Sequence, residues 1–202
     1  MKTRIKVVAF LCSVVILMGC FAFMPLEAKR IIIIDAGHGG KDLGADMYGL
    51  QEKTIVEAIA QDIKKQNKNE NLEIVLIREG DKDMALSERV SIINNLNPSL
   101  VISLHINSSS SFTSNGVNAY ISSNKKFYDQ SKANAEIVID KVAGNYFSKG
   151  QVTEASFYIL KNATCPAMTL AIGYLSNIND INYISTEKGQ QEIAEKILEA
   201  VK

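Results

Sequence analysis

The stretch Ile31-Ile32-Ile33-Ile34-Asp35-Ala36-Gly37-His38-Gly39-Gly40 decides how the rest of the chain is read. Four consecutive β-branched isoleucines bounded by a turn-forming segment predict a strand buried on both faces. Residues 36–51 then hold five glycines and two aspartates, which predicts a long loop of the kind that carries function. Helical spacing resumes at Ile55, Ala58, Ile59 and Ile63, so an amphipathic helix is expected over about 53–66.

The same alternation runs through the chain. Strands are predicted at Ile74–Ile77, Leu100–Leu104, Val117–Ile121, Phe157–Leu160 and Met168–Ile172, with Val117–Ile121 assigned to a sheet edge. Helices are predicted over about 85–96, 129–147 and 186–202. Alternating strands and helices imply an α/β fold: a single domain built on a mostly parallel twisted sheet with helices on both faces. Ligands of such sheets gather at the C-terminal ends of the strands.

Composition bounds the function. With 47% apolar and 22% charged residues, the 202-residue chain suits one domain with a real core. The formal net charge is zero, and nothing in it suggests a nucleic-acid partner, which would want a basic face. A monomer is expected.

Residues 1–28 differ from the remainder. Lys2, Arg4 and Lys6 precede an uncharged run from Val7 to Leu26, the pattern of an export signal. Two processing routes are legible: lipidation at Cys20 in Leu17-Met18-Gly19-Cys20, or cleavage after Ala28. Both predict an exported protein of the periplasm or cell envelope, either secreted or attached to the membrane through its N-terminus. Residues 29–202 would form the folded domain. Cys165 is the only thiol beyond the signal, so neither an internal disulfide nor a cysteine-rich metal site is expected there.

The chain contains two histidines. His38 follows the first strand and His105 follows Leu100–Leu104, so both fall at the expected ligand edge. Two imidazoles and one carboxylate form a known catalytic zinc set with a fourth position left open. Glu52 ends the glycine-rich loop and can fold back toward His38; it reads equally as a helix N-terminal acid. Asp35 and Asp42 compete with it, and Asp35 alternatively holds the ring of a ligand histidine. The glycines around His38 match neither G-x-G-x-x-G nor the Walker spacing, so no nucleotide is expected.

Several ordered motifs over residues 30–202 carry a resemblance. They are Ile33-Ile34-Asp35-Ala36-Gly37-His38-Gly39-Gly40, Glu52-Lys53, the series Arg78, Asp81, Leu86 and Arg89, then Ser103-Leu104-His105-Ile106-Asn107, and finally Pro166 with Gly173-Tyr174-Leu175-Ser176-Asn177. Together they resemble the zinc N-acetylmuramoyl-L-alanine amidases of the amidase-3 type. The resemblance implies Zn²⁺ on His38, Glu52 and His105, a substrate contact at Asn107, and peptidoglycan as the partner. The bond implied is the amide joining muramic acid to the L-alanine of the stem peptide.

One position departs from that pattern. The family carries a glutamate two residues before Gly173, where this chain has Ala171. The resemblance implies that this glutamate is the general base, and losing a general acid–base costs about 10²–10⁴-fold in rate. Three readings follow: a degenerate amidase that binds peptidoglycan or regulates other wall hydrolases, an enzyme using another carboxylate such as Glu154, or a deliberately inactivating substitution. The short connection from Ser122 to Asp129 leaves no room for a plug helix, so an open cleft is expected, and no separate wall-binding domain is expected.

Overall fold

The structure, a computed structural model, describes residues 29–202 except Lys125 and Asn145. The proposed signal and Cys20 lie outside the described residues. The elements run β1 (Arg30–Ala36), β2 (Asp46–Met47), β3 (Leu50–Gln51), α1 (Glu52–Gln66), β4 (Leu72–Leu76), α2 (Leu86–Leu96), β5 (Leu100–Asn107), β6 (Val117–Ile121), α3 (Tyr128–Ala143), β7 (Lys149–Glu154), α4 (Tyr158–Asn162), β8 (Ala167–Tyr174), α5 (Ile178–Ile184) and α6 (Glu187–Val201). No helix among the described residues is long and apolar enough to cross a membrane.

Six strands form one sheet in the order β4-β1-β5-β8-β6-β7. The pairs β4–β1, β1–β5 and β5–β8 are parallel. β6 runs antiparallel to β8 and carries β7 parallel to itself. The fold is thus the expected α/β domain with a mostly parallel sheet. The isoleucine run lies in β1 between β4 and β5, and Ile32, Ile33 and Ile34 are buried on both faces.

Alternate residues feed two cores. Ile32, Ile34, Ile102, Leu104, Leu170 and Ile172 pack against α1, α3 and α6. Ile33, Val101 and Ala167 point the other way, with Ile93 of α2 and Ile159 and Leu160 of α4. α1 buries Ile55, Ile59 and Ile63 as its spacing predicts, with Val56 and Ala60 buried in addition and Ala58 only half-buried.

Two sequence expectations are corrected, and one further strand escapes the pattern. Val117–Ile121 is an interior strand, because β7 covers its outer side. β7 escapes a pattern reading since Lys149-Gly150-Gln151-Val152-Thr153-Glu154 has one apolar side chain and is mostly exposed, as edge strands often are. Phe157–Leu160 is not a strand: Tyr158–Asn162 makes a short helix that buries Ile159 and Leu160, with Asn162 Nδ2 donating to the Tyr158 carbonyl at 2.7 Å. An aromatic and β-branched run so short has the composition of a strand but not its periodicity.

Candidate metal centre

Below α2 and α4 the sheet changes character rung by rung. Ile33, Val101 and Ala167 stand in register and are apolar. Two residues further along, Asp35, Ser103, Thr169 and Tyr120 form a polar rung. Two residues beyond that, His105 faces Ala171, which in turn faces Asn118. The helices cover the apolar rung and leave the next two as the floor of a cavity of about 520 Å³, whose walls include Met84, Leu86, Phe157 and Tyr158.

His38 reaches this cavity through an unusual backbone turn. β1 ends at Ala36, and the Gly37 amide extends the ladder to the Leu104 carbonyl at 3.0 Å. A Cβ on Gly37 would lie 2.5 Å from His105 Cε1, so the imidazole packs directly on bare backbone. His38 itself has φ 59°, left-handed for a side chain that carries a Cβ, and the turn closes through mutual hydrogen bonds between Gly39 and Asp42.

Such a conformation costs on the order of 1–3 kcal/mol and persists only where surroundings impose it. Two buried arginines do so. Arg78 donates to the carbonyls of Ala36 and Gly37, each at 3.0 Å, and to Glu57 at 2.8 Å. Arg89 donates to the Asp35 carboxylate at 2.7 Å, the Ala36 carbonyl at 2.8 Å, and the carbonyls of His38 and Met84. Lys53 ties the next corner, reaching the Gly40 carbonyl at 2.8 Å and Asp81 at 2.7 Å.

Glu52 is the first residue of α1 and is buried. Its Oε1 accepts from the Ile106 amide and its Oε2 from the Ala45 amide, both at 2.9 Å. That Oε1 also stands 3.1 Å from His38 Nε2 and 2.9 Å from His105 Nδ1. The rings of the two histidines meet edge to face at 4.9 Å. Hydrogen bonding to Glu52 raises the His38 pKa against the opposing effect of burial, with Asp42 adding to the rise. Burial pushes the Glu52 carboxyl up, but the bonds from His105, His38 and the Ala45 amide outweigh it and hold it well below the usual carboxylate range.

One donor atom from each of His38, Glu52 and His105 lies within 4.8 Å of the others. Donors around a tetrahedral zinc stand about 3.3 Å apart, given bond lengths of about 2.0–2.1 Å. The cluster therefore fits a divalent metal in chemistry and spacing. The His38 ring is fixed for that role by Asp42, whose Oδ2 lies 2.8 Å from Nδ1 and leaves Nε2 facing the centre.

Asp42 thus takes the ring-holding position expected of Asp35. The Asp35 carboxylate is spent elsewhere, on Arg89 and on the Ser103 hydroxyl at 2.6 Å, because it lies inside β1 and the turn that follows the strand carries the imidazole away from it. Glu154 ends β7 level with Ile121 and Met168, three residues and two strands away from Ala171. At ~3.3 Å per residue and ~4.8 Å per strand that is about 14 Å, so Glu154 cannot reach the cluster. It is absent from the cavity lining, which does include Asn107, with a buried Nδ2 that has no partner. The described residues between Ser122 and Phe127 contribute nothing to that lining, and the side chains of His38 and His105 remain 21% and 30% exposed.

Sequence reasoning missed the polar rung. Its signal was the alternation Ser103, His105 and Asn107 between buried apolar neighbours, but the partners Thr169 and Tyr120 need the register to be seen.

A sheet of this topology with a His–Glu–His cluster at its open end defines a hydrolase-like α/β domain with a candidate metal centre. The chain belongs to the Amidase_3 family, described as N-acetylmuramoyl-L-alanine amidase, whose model matches residues 32–202. It is 25% identical over 229 aligned residues to the germination-specific N-acetylmuramoyl-L-alanine amidase of Bacillus subtilis, covering 100% of this chain and 95% of that protein. Among solved structures, an N-acetylmuramoyl-L-alanine amidase from Clostridium difficile 630 superposes with a TM-score of 0.81 at 26% identity, covering 87% of this chain and 96% of that one. The catalytic domain of CwlV from Bacillus (Paenibacillus) polymyxa var. colistinus does so with a TM-score of 0.76 at 31% identity, covering 85% and 96%.

Proposed function

We propose that this protein holds Zn²⁺ on His38, Glu52 and His105 and binds peptidoglycan in the cell envelope, presenting the amide between muramic acid and L-alanine to the metal. Ala171 keeps its turnover low. The observation that carries the reading is the convergence of the three donors beside Ala171 on the floor of one cavity.

Zn²⁺ bound there would polarise an amide carbonyl and acidify a water. The chain's own groups do the rest. Asp42 keeps the His38 ring oriented, the Ala45 and Ile106 amides fix both oxygens of Glu52, and Phe157 and Tyr158 add an apolar wall. What is lacking is a group to carry the proton. Among the described residues the carboxylates lining the cavity are Asp35, Asp42 and Glu52, and each is engaged: Asp35 by Arg89 and Ser103, Asp42 by His38 and the Gly44 amide, Glu52 by both histidines. This favours a binder or impaired amidase over an enzyme with a substitute base.

The test is cleavage of purified peptidoglycan by the zinc-loaded protein beside Ala171→Glu, read as new L-alanine amino termini. The variant is expected to be faster by about 10²–10⁴-fold. Equal rates would refute the role assigned to position 171. No cleavage by the zinc-loaded variant would refute the substrate.

A further inference from the structure

The polar rung beneath the metal cluster has surplus hydrogen-bonding capacity. Asp35 and Ser103 satisfy one another. Their neighbours in register do not: among the described residues neither the Thr169 hydroxyl nor the Tyr120 phenol makes a side-chain hydrogen bond, although Thr169 is only 6% exposed. Both line the cavity. Among the described residues only Asn107 Nδ2 is both sealed from solvent and unpartnered, so these two hydroxyls open on the cavity and are free to bond a ligand there.

The position is informative. Thr169 lies two residues from Ala171 on the same face, hence about 6.6 Å from the metal rung. On the far side, two residues beyond His105, Asn107 offers its unpartnered Nδ2. The cluster therefore sits between two unfilled hydrogen-bonding stations. The inner one combines two hydroxyls, each able to donate and accept, with the apolar walls of Phe157, Tyr158 and Met84. A secondary amide bearing a small apolar group meets all of these features, with one N–H, one C=O and no charge to desolvate.

We propose that the Thr169–Tyr120 station binds a secondary amide of the muropeptide adjacent to the amide presented to the metal. This rests on the function proposed above. Two groups of the same chemistry lie within a few bonds of that amide: the acetamido group of the muramyl ring and the next peptide bond of the stem.

The experiment is calorimetric titration of the zinc-loaded protein, Thr169→Val and Tyr120→Phe with three ligands. These are N-acetylmuramyl-L-alanyl-D-glutamate, the same compound with a hydroxyl replacing the acetamido group, and N-acetylmuramyl-L-alanine. Each substitution is close to isosteric, and melting temperature reports whether the fold is kept. Either variant is expected to weaken the full ligand by about 5- to 10-fold. The weakening should vanish for the ligand that lacks the amide held there: loss with the hydroxyl analogue assigns the station to the sugar, loss with the shorter ligand to the peptide. Undiminished binding by both variants, or a weakening that persists with both truncated ligands, overturns the proposal and leaves the proposed function standing. Absence of binding to the unmodified protein overturns the proposed function and this inference with it.

Discussion

Replacing Arg89 by Met would test whether the metal loop is held from beneath. The guanidinium is buried and serves Asp35, Ala36, His38 and Met84 at once. Methionine fills the space but strands the Asp35 carboxylate with Ser103 alone. Removing one partner of a buried ion pair costs about 3–5 kcal/mol, against a total stability on the order of 5–15 kcal/mol. With a urea slope of about 2 kcal/mol/M, the unfolding midpoint should fall by about 1.5–2.5 M. Asp35→Asn combined with Arg89→Met should lose less than Arg89→Met alone, because the unpaired charge is gone. Arg89→Lys keeps the charge but not the fork, and should fall between wild type and Arg89→Met. The second readout is zinc affinity by chelator competition. Freed from Arg89, the left-handed turn at His38 relaxes, and affinity should drop about 10- to 100-fold, as when a group supporting a ligand is lost. An Arg89→Met protein with an unshifted midpoint and unchanged zinc affinity would refute the reasoning.

Three further outcomes are expected. Zinc at about 1,000 times its dissociation constant should stabilise the metal-free protein by about 4 kcal/mol, raising the melting temperature by about 8–16 °C, and His38→Ala should abolish the rise in calorimetry. Gly37→Ala places a Cβ 2.8 Å from the Leu104 carbonyl as well as against the His105 ring, so it should cost about 1–3 kcal/mol in denaturation and weaken zinc binding; a variant neutral in both measurements would contradict the packing. Burial pushes the Cys165 thiol up to about 11 from 9.0. It should resist iodoacetamide at pH 8 until the protein unfolds, as followed by peptide mapping. The sign is that of a raised pKa: the unfolded thiol ionises first, so this contribution to stability is intact below about pH 9 and is lost as pH climbs toward 11.

Much of the fold could be read because its central strands are buried on both sides, and their isoleucines, valines and leucines leave a dense signal. β7 left none, since an edge strand exposes most of its side chains. α5 followed a readable cap, Asn177, whose side chain accepts from the amides of Asn179 and Asp180, but a helix of 7 residues carries too little periodicity to stand out. In the site, strand ends located His38 and His105, and loop geometry brought Glu52 between them. The choice between Asp35 and Asp42 was not legible. It depends on the left-handed residue at His38, which swings the ring away from its own strand, and on Arg78 and Arg89, whose partners are mostly backbone carbonyls that no residue pattern reveals.

The rungs of the sheet also bear on how such a protein can change over time. Contact with ligand is assigned to one pair of hydroxyls, the donors to another level, and the proton carrier to a single position beside them. Because Ala171 makes no side-chain hydrogen bond to the groups that hold the histidines and Glu52, a lineage could give up turnover at position 171 while keeping recognition and metal intact. A glutamate placed at that one position would meet the same scaffold around it.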